Sequence, residues 1–434
     1  MTISKRSAGQ GTRSSCATGC FPSSSHSSAP SSPFRQSHRP VKDRGHVDRP
    51  LALLLTLLVV GGCLVFASAA FGLLARGQAN MSSVVFNHLV LGVGLGVLLL
   101  IGAVSIPYQL WRRFAPHVFV LGLIATALVF VPGIGMEHGG GKRWILIFGQ
   151  TFQPAEFLKI ATIIMAAAYF TAHKKQVATM QWGLGGLAGI LALPIVIMVM
   201  QPDLGTLSII CAPVAAIYLV AGARWRDIAI LVAAVILAGG ALIMVMPHAR
   251  ARVMTFLDPS ANQQGSSYQI RQSLIAIGSG GIFGRGLGQG VQKFTYLPEP
   301  MGDSIFAVAA EELGFVGATA IVITYLLFAW RALRVAAKAA DPFGTYLAVG
   351  ICVYLVGEAF INIAAMLAIF PLTGVPLTFV SQGGSAMLMS LASAGILLAV
   401  SRGKKASTAT LAAAPASKPT ARHSVKPVTR KARR

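Results

Sequence analysis

Carboxylates are unusually concentrated in one stretch of the chain, YLPEPMGDSIFAVAAEELGFVG at residues 296–317. Four of the 13 acidic residues lie there, although the chain has 36 basic residues. They are Glu299, Asp303, Glu311 and Glu312. Turn-forming Pro298 and Gly302 place Asp303 at or just before a helix start. Its side chain is therefore either a helix N-cap or a carboxylate at a water boundary that accepts a proton from a substrate hydroxyl.

A second polar group lies in FQPAEFLKI, where Pro154 suits the first turn of a helix. Glu156 and Lys159 are three residues apart, share a helix face and can form an ion pair. Charged side chains at membrane depth are costly and face partners or cavities. Two interpretations stay open: a structural ion pair, or a charge relay that lines a cavity.

Three further segments carry candidate residues. GGGKRW holds Lys142 and Arg143, placed where the phosphate groups of a lipid-linked ligand would lie, and the guanidinium fork suits phosphate. QPDLGT puts Asp203 at a junction between two apolar runs, where it serves either as an N-cap or as a site residue. SQGGS contains Ser381 and Ser385, which either cap a helix and allow close packing through glycine or contact a ligand.

The elements that must position these residues are membrane helices. The chain is 54% hydrophobic and only 11% charged, whereas soluble domains carry about 25% charged residues. Apolar runs near 20 residues recur, and each can satisfy its own backbone hydrogen bonds as a helix. The expected fold is an all-α polytopic membrane protein of about ten transmembrane helices. The predicted spans are 51–75, 86–107, 115–133, 154–172, 182–200, 203–221, 226–246, 305–330, 344–368 and 382–401.

The distribution of basic residues predicts the domain organisation and orientation. Residues 1–50 and 403–434 are basic, polar and without periodicity, which predicts disordered tails on either side of a membrane domain at 51–402. Lys and Arg concentrate in YQLWRRF, AHKKQ, GARWRD and RALRVAAK, so both termini are predicted to be cytoplasmic. The basic tails are expected near anionic lipid, and nucleic acid is not an expected partner.

The long connector at 247–304 is predicted to be a structured outer loop over a membrane-embedded cavity. Its GRGLGQG segment follows no strand, so the sequence does not predict a dinucleotide site. Cys63, Cys211 and Cys352 lie in apolar runs and predict no disulfide framework, and no Cys and His cluster has metal-binding spacing.

Five ordered motifs resemble those of the SEDS family of cell-wall polymerases, which includes FtsW and RodA, and are most similar to the division branch. They are KRWILIFGQTFQPAEFLK, QPDLGT, SYQIRQSLIAIGSGGIFGRGLG, QKFTYLPEPMGDSIFAVAAEELGFVG and PLTGVPLTFVSQGGS. The resemblance covers residues 51–402. It implies a peptidoglycan glycosyltransferase that polymerises lipid II, with inversion, at the outer face of the bacterial cytoplasmic membrane.

The resemblance aligns the essential aspartate of the family with Asp303, as the general base or as a group that positions the nucleophile. It also aligns the charged pair of the family with Glu156 and Lys159, and its QPDLG aspartate with Asp203. The residues predicted to contact the substrate are Lys142, Arg143, Glu156, Lys159, Asp203, Arg271, Gln272, Glu299, Ser381 and Ser385. A divalent cation, Mg²⁺ or Mn²⁺, is a candidate for stabilising the diphosphate leaving group, with no metal ligands evident in the sequence. The implied partners are lipid II, a class B penicillin-binding transpeptidase and divisome proteins at the septum.

The sequence departs from the family pattern beside the aspartate, where it reads Met301-Gly302-Asp303-Ser304, and at Gln382. Two other functions compete with the polymerase: a lipid II flippase, and a non-catalytic division scaffold. A carrier requires polar residues through both leaflets, whereas the strongest polar cluster here is on the outer side.

Overall fold

The computed structural model describes residues 46–75, 86–138, 141–147, 149–258 and 265–403. These ranges contain thirteen helices. In chain order they are α1 (Arg49–Ala75), α2 (Phe86–Ser105), α3 (Gln109–Phe130), α4 (Pro154–Ala172), α5 (Leu184–Met200), α6 (Leu204–Gly222), α7 (Trp225–Val245), α8 (Pro247–Leu257), α9 (Ser266–Ser279), α10 (Gln292–Thr295), α11 (Ile305–Ala337), α12 (Pro342–Met366) and α13 (Gly384–Arg402).

Nine of the helices in the described residues are long and apolar enough to cross a membrane, and α5 is a shorter apolar helix of 17 residues. Large apolar side chains such as Leu57, Leu237 and Met244 are exposed on the outside of the bundle. An apolar exterior around a packed helical core is what a bilayer environment requires. The predicted all-α polytopic membrane fold is confirmed, and the chain is a multi-pass membrane protein.

Two predicted span boundaries are wrong. The third helix begins at Gln109 rather than at residue 115. Its first turns include Arg112 and Arg113, whose side chains are exposed. Long basic side chains can reach water from a helix end, so they do not terminate the helix. The eighth span continues to Ala337 rather than ending at 330. The predicted tails lie outside the described residues except for 46–50 and 403.

The long helix α12 is largely buried and packs against α4, α6 and α11. On the far side of the bundle, α13 packs along α2, where Gly96 and Gly395 allow close approach. A small three-stranded antiparallel sheet, which the sequence did not predict, joins α3 to α4. Its strands are β1 (Gly135–His138), β2 (Gly141–Ile147) and β3 (Gln150–Phe152).

The connector after α7 is structured wherever it is described, as predicted: α8, α9 and α10 lie within it. Its glycine-rich segment packs against a break in α11 at Gly314, whose φ is +69°. A Cβ atom on Gly314 would lie 2.2 Å from the backbone nitrogen of Gly284, so both positions require glycine. Phe315 and Val316 donate backbone hydrogen bonds to Gly281 and Ile282 at this contact.

The two glutamates after Asp303 hold this connector in place. Glu311 accepts hydrogen bonds from the backbone nitrogens of Val291 and Gln292 at the start of α10. Glu312 is buried and bonds the Ser68 hydroxyl of α1, 2.7 Å away, together with the ammonium group of Lys293. Glu312 therefore links this connector to α1.

Candidate functional site

Asp303 lies on a tight loop immediately before α11 and outside the membrane-spanning segments. The backbone nitrogens of Gly302 and Ser304 both donate to the carbonyl of Glu299, which closes the turn. The N-cap position of α11 is Ser304, with no side-chain cap. The N-cap interpretation of Asp303 is therefore wrong, and its carboxylate is available for other contacts.

The Asp303 carboxylate is oriented by a single amide from α9. Gln269 Nε2 donates to Asp303 Oδ1 at 2.8 Å and to the Ser304 hydroxyl at 2.9 Å. Burial and the charge of Glu299 raise the pKa of Asp303 to about 6, while the hydrogen bond from Gln269 and the charge of Arg252 oppose that rise. A carboxylate with a pKa near the working pH is well suited to general base catalysis.

The backbone around Asp303 is held by the segment between α12 and α13. Asn362 Nδ2 donates to the carbonyl of Asp303 at 2.7 Å and to that of Val375 at 2.8 Å. The Ser381 hydroxyl donates to the carbonyl of Gly302 at 2.7 Å, and the backbone nitrogen of Gln382 donates to that of Met301 at 2.7 Å. Met301, Ser304 and Gln382, where the sequence departs from the family pattern, thus contribute contacts that fix this loop.

Two arginines, Arg143 and Arg252, belong to the charged surroundings of the Asp303 loop. Arg252 of α8 donates to the carbonyl of Thr373 at 3.0 Å. Burial and the charge of Arg143 lower the pKa of Arg252, and the carboxylates of Asp203 and Asp303 oppose that shift. Arg252 is therefore close enough to each of these three charged groups to interact with it. Partly exposed guanidinium groups in such a position can bind an anionic ligand bidentately.

Asp203 has the structural role that its position suggested. It caps α6 by accepting a hydrogen bond from the backbone nitrogen of Thr206 at 3.0 Å. Arg143 Nη1 lies 3.9 Å from Asp203 Oδ2, and Arg143 Nη2 donates to the carbonyl of Pro202 at 2.8 Å. The cap and the ion pair together fix the Arg143 guanidinium beside the site.

The predicted ion pair of Glu156 and Lys159 is formed, with 2.8 Å between its atoms, and it includes a third member. Lys159 Nζ also lies 2.7 Å from Glu358 Oε1 of α12, and all three side chains are buried. Asn362 follows Glu358 by one helical turn on α12, so the triad lies on the same helix face as the residue that holds the Asp303 loop.

The remaining predicted residues lie at varied distances from this centre. Lys142 is exposed on β2, and Glu299 is exposed on the Asp303 loop. On α9, Gln272 is within about 60° of the face of Gln269, whereas Arg271 is about 160° away. Ser385 is buried and accepts a hydrogen bond from the backbone nitrogen of Gln153 at 3.4 Å.

Sequence reasoning missed four residues: Arg252, Gln269, Glu358 and Asn362. Glu358 could have been found, because it is a charged residue inside a predicted span, like Glu156 and Lys159. The two amides and the arginine have ordinary sequence surroundings, and only the packing of α8, α9 and α12 brings them to Asp303.

Comparisons with known proteins place this geometry in context. The family model for FtsW, RodA and SpoVE, described as cell cycle protein, matches residues 49–406. Stage V sporulation protein E of Bacillus subtilis is 35% identical over 81% of this chain and 96% of its own length. A probable peptidoglycan glycosyltransferase FtsW from Thiomicrospira cyclica is 36% identical over 80% of this chain and 89% of its own length.

Solved structures share the fold. A chain from a peptidoglycan synthase complex, studied for the coordination of polymerization and crosslinking, matches with a TM-score of 0.66 and 25% identity. The match covers 82% of this chain and 98% of that one. The rod shape determining protein RodA of Thermus thermophilus matches with a TM-score of 0.61 and 24% identity over 83% of this chain and 98% of its own.

Proposed function

This chain belongs to the FtsW/RodA/SpoVE family of cell cycle proteins, and from that premise we propose that it is a peptidoglycan glycosyltransferase that polymerises lipid II. The observation that carries the proposal is the Asp303 carboxylate, with its raised pKa and its orienting amide, beside the guanidinium groups of Arg143 and Arg252. A base next to a cationic anion-binding surface is what transfer of a diphosphate-linked sugar requires.

In the proposed reaction, the 4-hydroxyl of the glucosamine of one lipid II attacks the anomeric carbon of the muramyl sugar at the reducing end of the growing chain. The new carbon–oxygen bond forms as the bond to undecaprenyl diphosphate breaks, so the anomeric configuration inverts. Asp303 accepts the hydroxyl proton. Because Asp303 Oδ1 accepts a hydrogen bond from Gln269, Asp303 Oδ2 is the oxygen assigned to this proton transfer. It lies beside Gly374, where a Cβ atom would come within 3.9 Å of it.

The leaving diphosphate carries the negative charge that develops in this step. Arg143 and Arg252 are the groups proposed to stabilise it, because their forks match phosphate geometry and are already fixed by backbone carbonyls. The fixed positions reduce the reorganisation that the transition state demands. Lys142, which is exposed on the same strand as Arg143, would add a mobile charge at the entrance.

A divalent cation fits this site only together with the substrate. Within the described residues there is no group of three or more His, Cys, Asp or Glu that could hold a metal ion. Mg²⁺ is commonly held by one or two carboxylates together with phosphate oxygens. Glu299 and Asp303 would supply those carboxylates, and the cation would neutralise the developing diphosphate charge.

We place the Asp303 site at the outer face of the cytoplasmic membrane, with both chain ends in the cytoplasm. Arg112 and Arg113 lie at the opposite end of the bundle, in agreement with the tendency of basic residues to remain cytoplasmic. We also propose a class B penicillin-binding transpeptidase as partner and a role at the division septum. The likeness to a chain from a peptidoglycan synthase complex supports that partnership.

The test is polymerisation of lipid II by the purified full chain with its cognate transpeptidase. Asp303→Asn keeps the size of the side chain but cannot accept a proton, so the rate is expected to fall by about 10²–10⁴-fold. Asp227→Asn is the matched control, since Asp227 lies at the opposite end of the bundle and bonds Tyr218 there. Normal polymerisation by Asp303→Asn would refute the assignment. Translocation of labelled lipid II in liposomes without polymerisation would favour the carrier function instead.

A further inference from the structure

A cleft lies at the end of the bundle opposite Asp303, where the start of α1 meets the last turns of α11 and α13. It is a shallow, partly open depression lined by Asp48, Arg331, Arg334, Lys338 and Ser401. Its floor is the buried Val335. Its enclosed space is much smaller than that of a small-molecule pocket, so a ligand would contact the cleft from the surface.

The frame of the cleft is fixed by Asp48. Its carboxylate forms two hydrogen bonds with the Arg331 guanidinium, at 2.8 and 2.9 Å. The same carboxylate caps α1 by accepting from the backbone nitrogen of Leu51, and the backbone nitrogen of Asp48 donates to the Ser401 hydroxyl. Asp48 thus joins three helices through its carboxylate and its backbone nitrogen, and its carboxylate neutralises one of the cleft's cations.

Two cations remain on the rim. Arg334 and Lys338 are exposed, and with the Asp48–Arg331 pair they leave the cleft a net charge of two positive units. The Arg334 guanidinium lies over the ring of Trp330, 3.9 Å from its centroid, which restricts its position. Two cations beside a neutralised ion pair, one of them restricted in position, are complementary to a phosphate group.

An apolar surface leads away from this rim along α11. Ile323, Leu326, Leu327 and Trp330 are exposed and lie on one face of the helix, adjacent to the face that carries Arg334 and Lys338. Tryptophan is enriched at the level of lipid headgroups, and an apolar stripe on a membrane helix contacts acyl chains. The charged rim therefore lies where a headgroup would be, and the stripe lies where its chains would extend.

We propose that this cleft binds the phosphate-bearing headgroup of an anionic phospholipid in the leaflet opposite Asp303. Basic residues at the ends of membrane helices are common and do not by themselves make a site. Here they converge on one cleft, where the Asp48–Arg331 pair fixes the geometry without cancelling the charge. Basic pockets between membrane helices are known to hold anionic headgroups.

The proposal is tested by titrating the purified full chain in detergent with phosphatidylglycerol and counting bound lipids by native mass spectrometry. The variant Arg334→Gln/Lys338→Gln is expected to bind about 30-fold more weakly, from the contribution of each basic residue to headgroup attraction. The matched control is Arg112→Gln/Arg113→Gln, which removes the same charge at the same end of the bundle outside the cleft and should change binding less than threefold. Equal losses in both variants would overturn the proposal.

A third variant should strengthen lipid binding instead of weakening it. Asp48→Asn removes the neutralising carboxylate, so phosphatidylglycerol should bind about fivefold more tightly, which an unfolded protein cannot reproduce. Phosphatidylcholine and inorganic phosphate are the remaining arms. Binding of phosphatidylcholine as tight as that of phosphatidylglycerol would refute charge recognition. Displacement of the lipid by millimolar inorganic phosphate would show that the ligand is a soluble phosphate, and would also overturn the proposal.

Discussion

Replacement of Gln269 by leucine tests whether the amide tunes Asp303 or only supports the fold. The substitution removes the donor to Asp303 Oδ1 and puts an apolar side chain of similar length in the same buried position. A hydrogen bond to an ionised acceptor contributes about 1.5–3 kcal/mol and a bond to a neutral acceptor about 0.5–1.5 kcal/mol. The loss therefore disfavours the ionised form by about 1.4 kcal/mol, which is roughly one pKa unit.

The sign of the effect follows from the folded enzyme. The pKa of Asp303 is about 6, and the hydrogen bond from Gln269 holds it below the value that burial alone would give. Without that donor, the pKa of Asp303 should rise to roughly 7. The fraction of ionised base at pH 6 would then fall from about one half to about one eleventh, so the rate there should fall roughly fivefold. At pH 8 the two enzymes should differ by only about 10%.

The assay is initial-rate polymerisation of lipid II by the chain with its cognate transpeptidase between pH 5 and 8.5. Ser304→Ala is the matched control, because it removes the other acceptor of the same amide and leaves the bond to Asp303 intact. Its acid limb should stay at about pH 6. A Gln269→Leu enzyme whose rate is reduced by the same factor at every pH would refute the tuning argument and leave Gln269 a purely structural role.

Two further predictions concern stability. Lys159→Met leaves Glu156 and Glu358 buried without their cation, so the free energy of unfolding should fall by about 3–5 kcal/mol. Adding Glu358→Gln to the same chain should restore part of that loss. An unchanged thermal unfolding midpoint in detergent would contradict this prediction. Gly314→Ala should destabilise the folded protein by at least about 2 kcal/mol, because Gly314 has a positive φ and a Cβ atom there would lie 2.2 Å from Gly284. Gly61 faces open space, so Gly61→Ala should be neutral or stabilising. Equal thermal unfolding midpoints for the two variants would refute this prediction.

Hydropathy predicted the membrane fold because a spanning helix must be apolar along most of its length, whatever its neighbours are. It failed at the start of α3, where a penalty for Arg112 and Arg113 moved the predicted boundary inward although both side chains extend to the surface. It also gave no indication of the sheet formed by β1, β2 and β3, whose strands are three to seven residues long.

The charged residues of the candidate site were predictable, because burying a charge in an apolar chain costs free energy. Asp303, Glu156, Lys159 and Asp203 stand out because carboxylates and ammonium groups in an apolar chain require partners. Gln269 and Asn362 carry no charge, and their importance arises only when α9 and α12 bring them to one loop. The N-cap alternative for Asp303 could not be eliminated from sequence, since one residue of shift at the start of α11 decides it.

The Asp303 site and the buried ion pair are joined through α12. Asn362 donates both of its described hydrogen bonds to backbone carbonyls, one at Asp303 and one at Val375, so α12 fixes the loop that carries the base. One turn away, Glu358 ties the same helix to α4 through Lys159. The buried triad therefore joins α4 to the same helix that holds the Asp303 loop. Glu156 and Lys159 accordingly position the helix that holds the site, and their contact with the substrate stays a prediction.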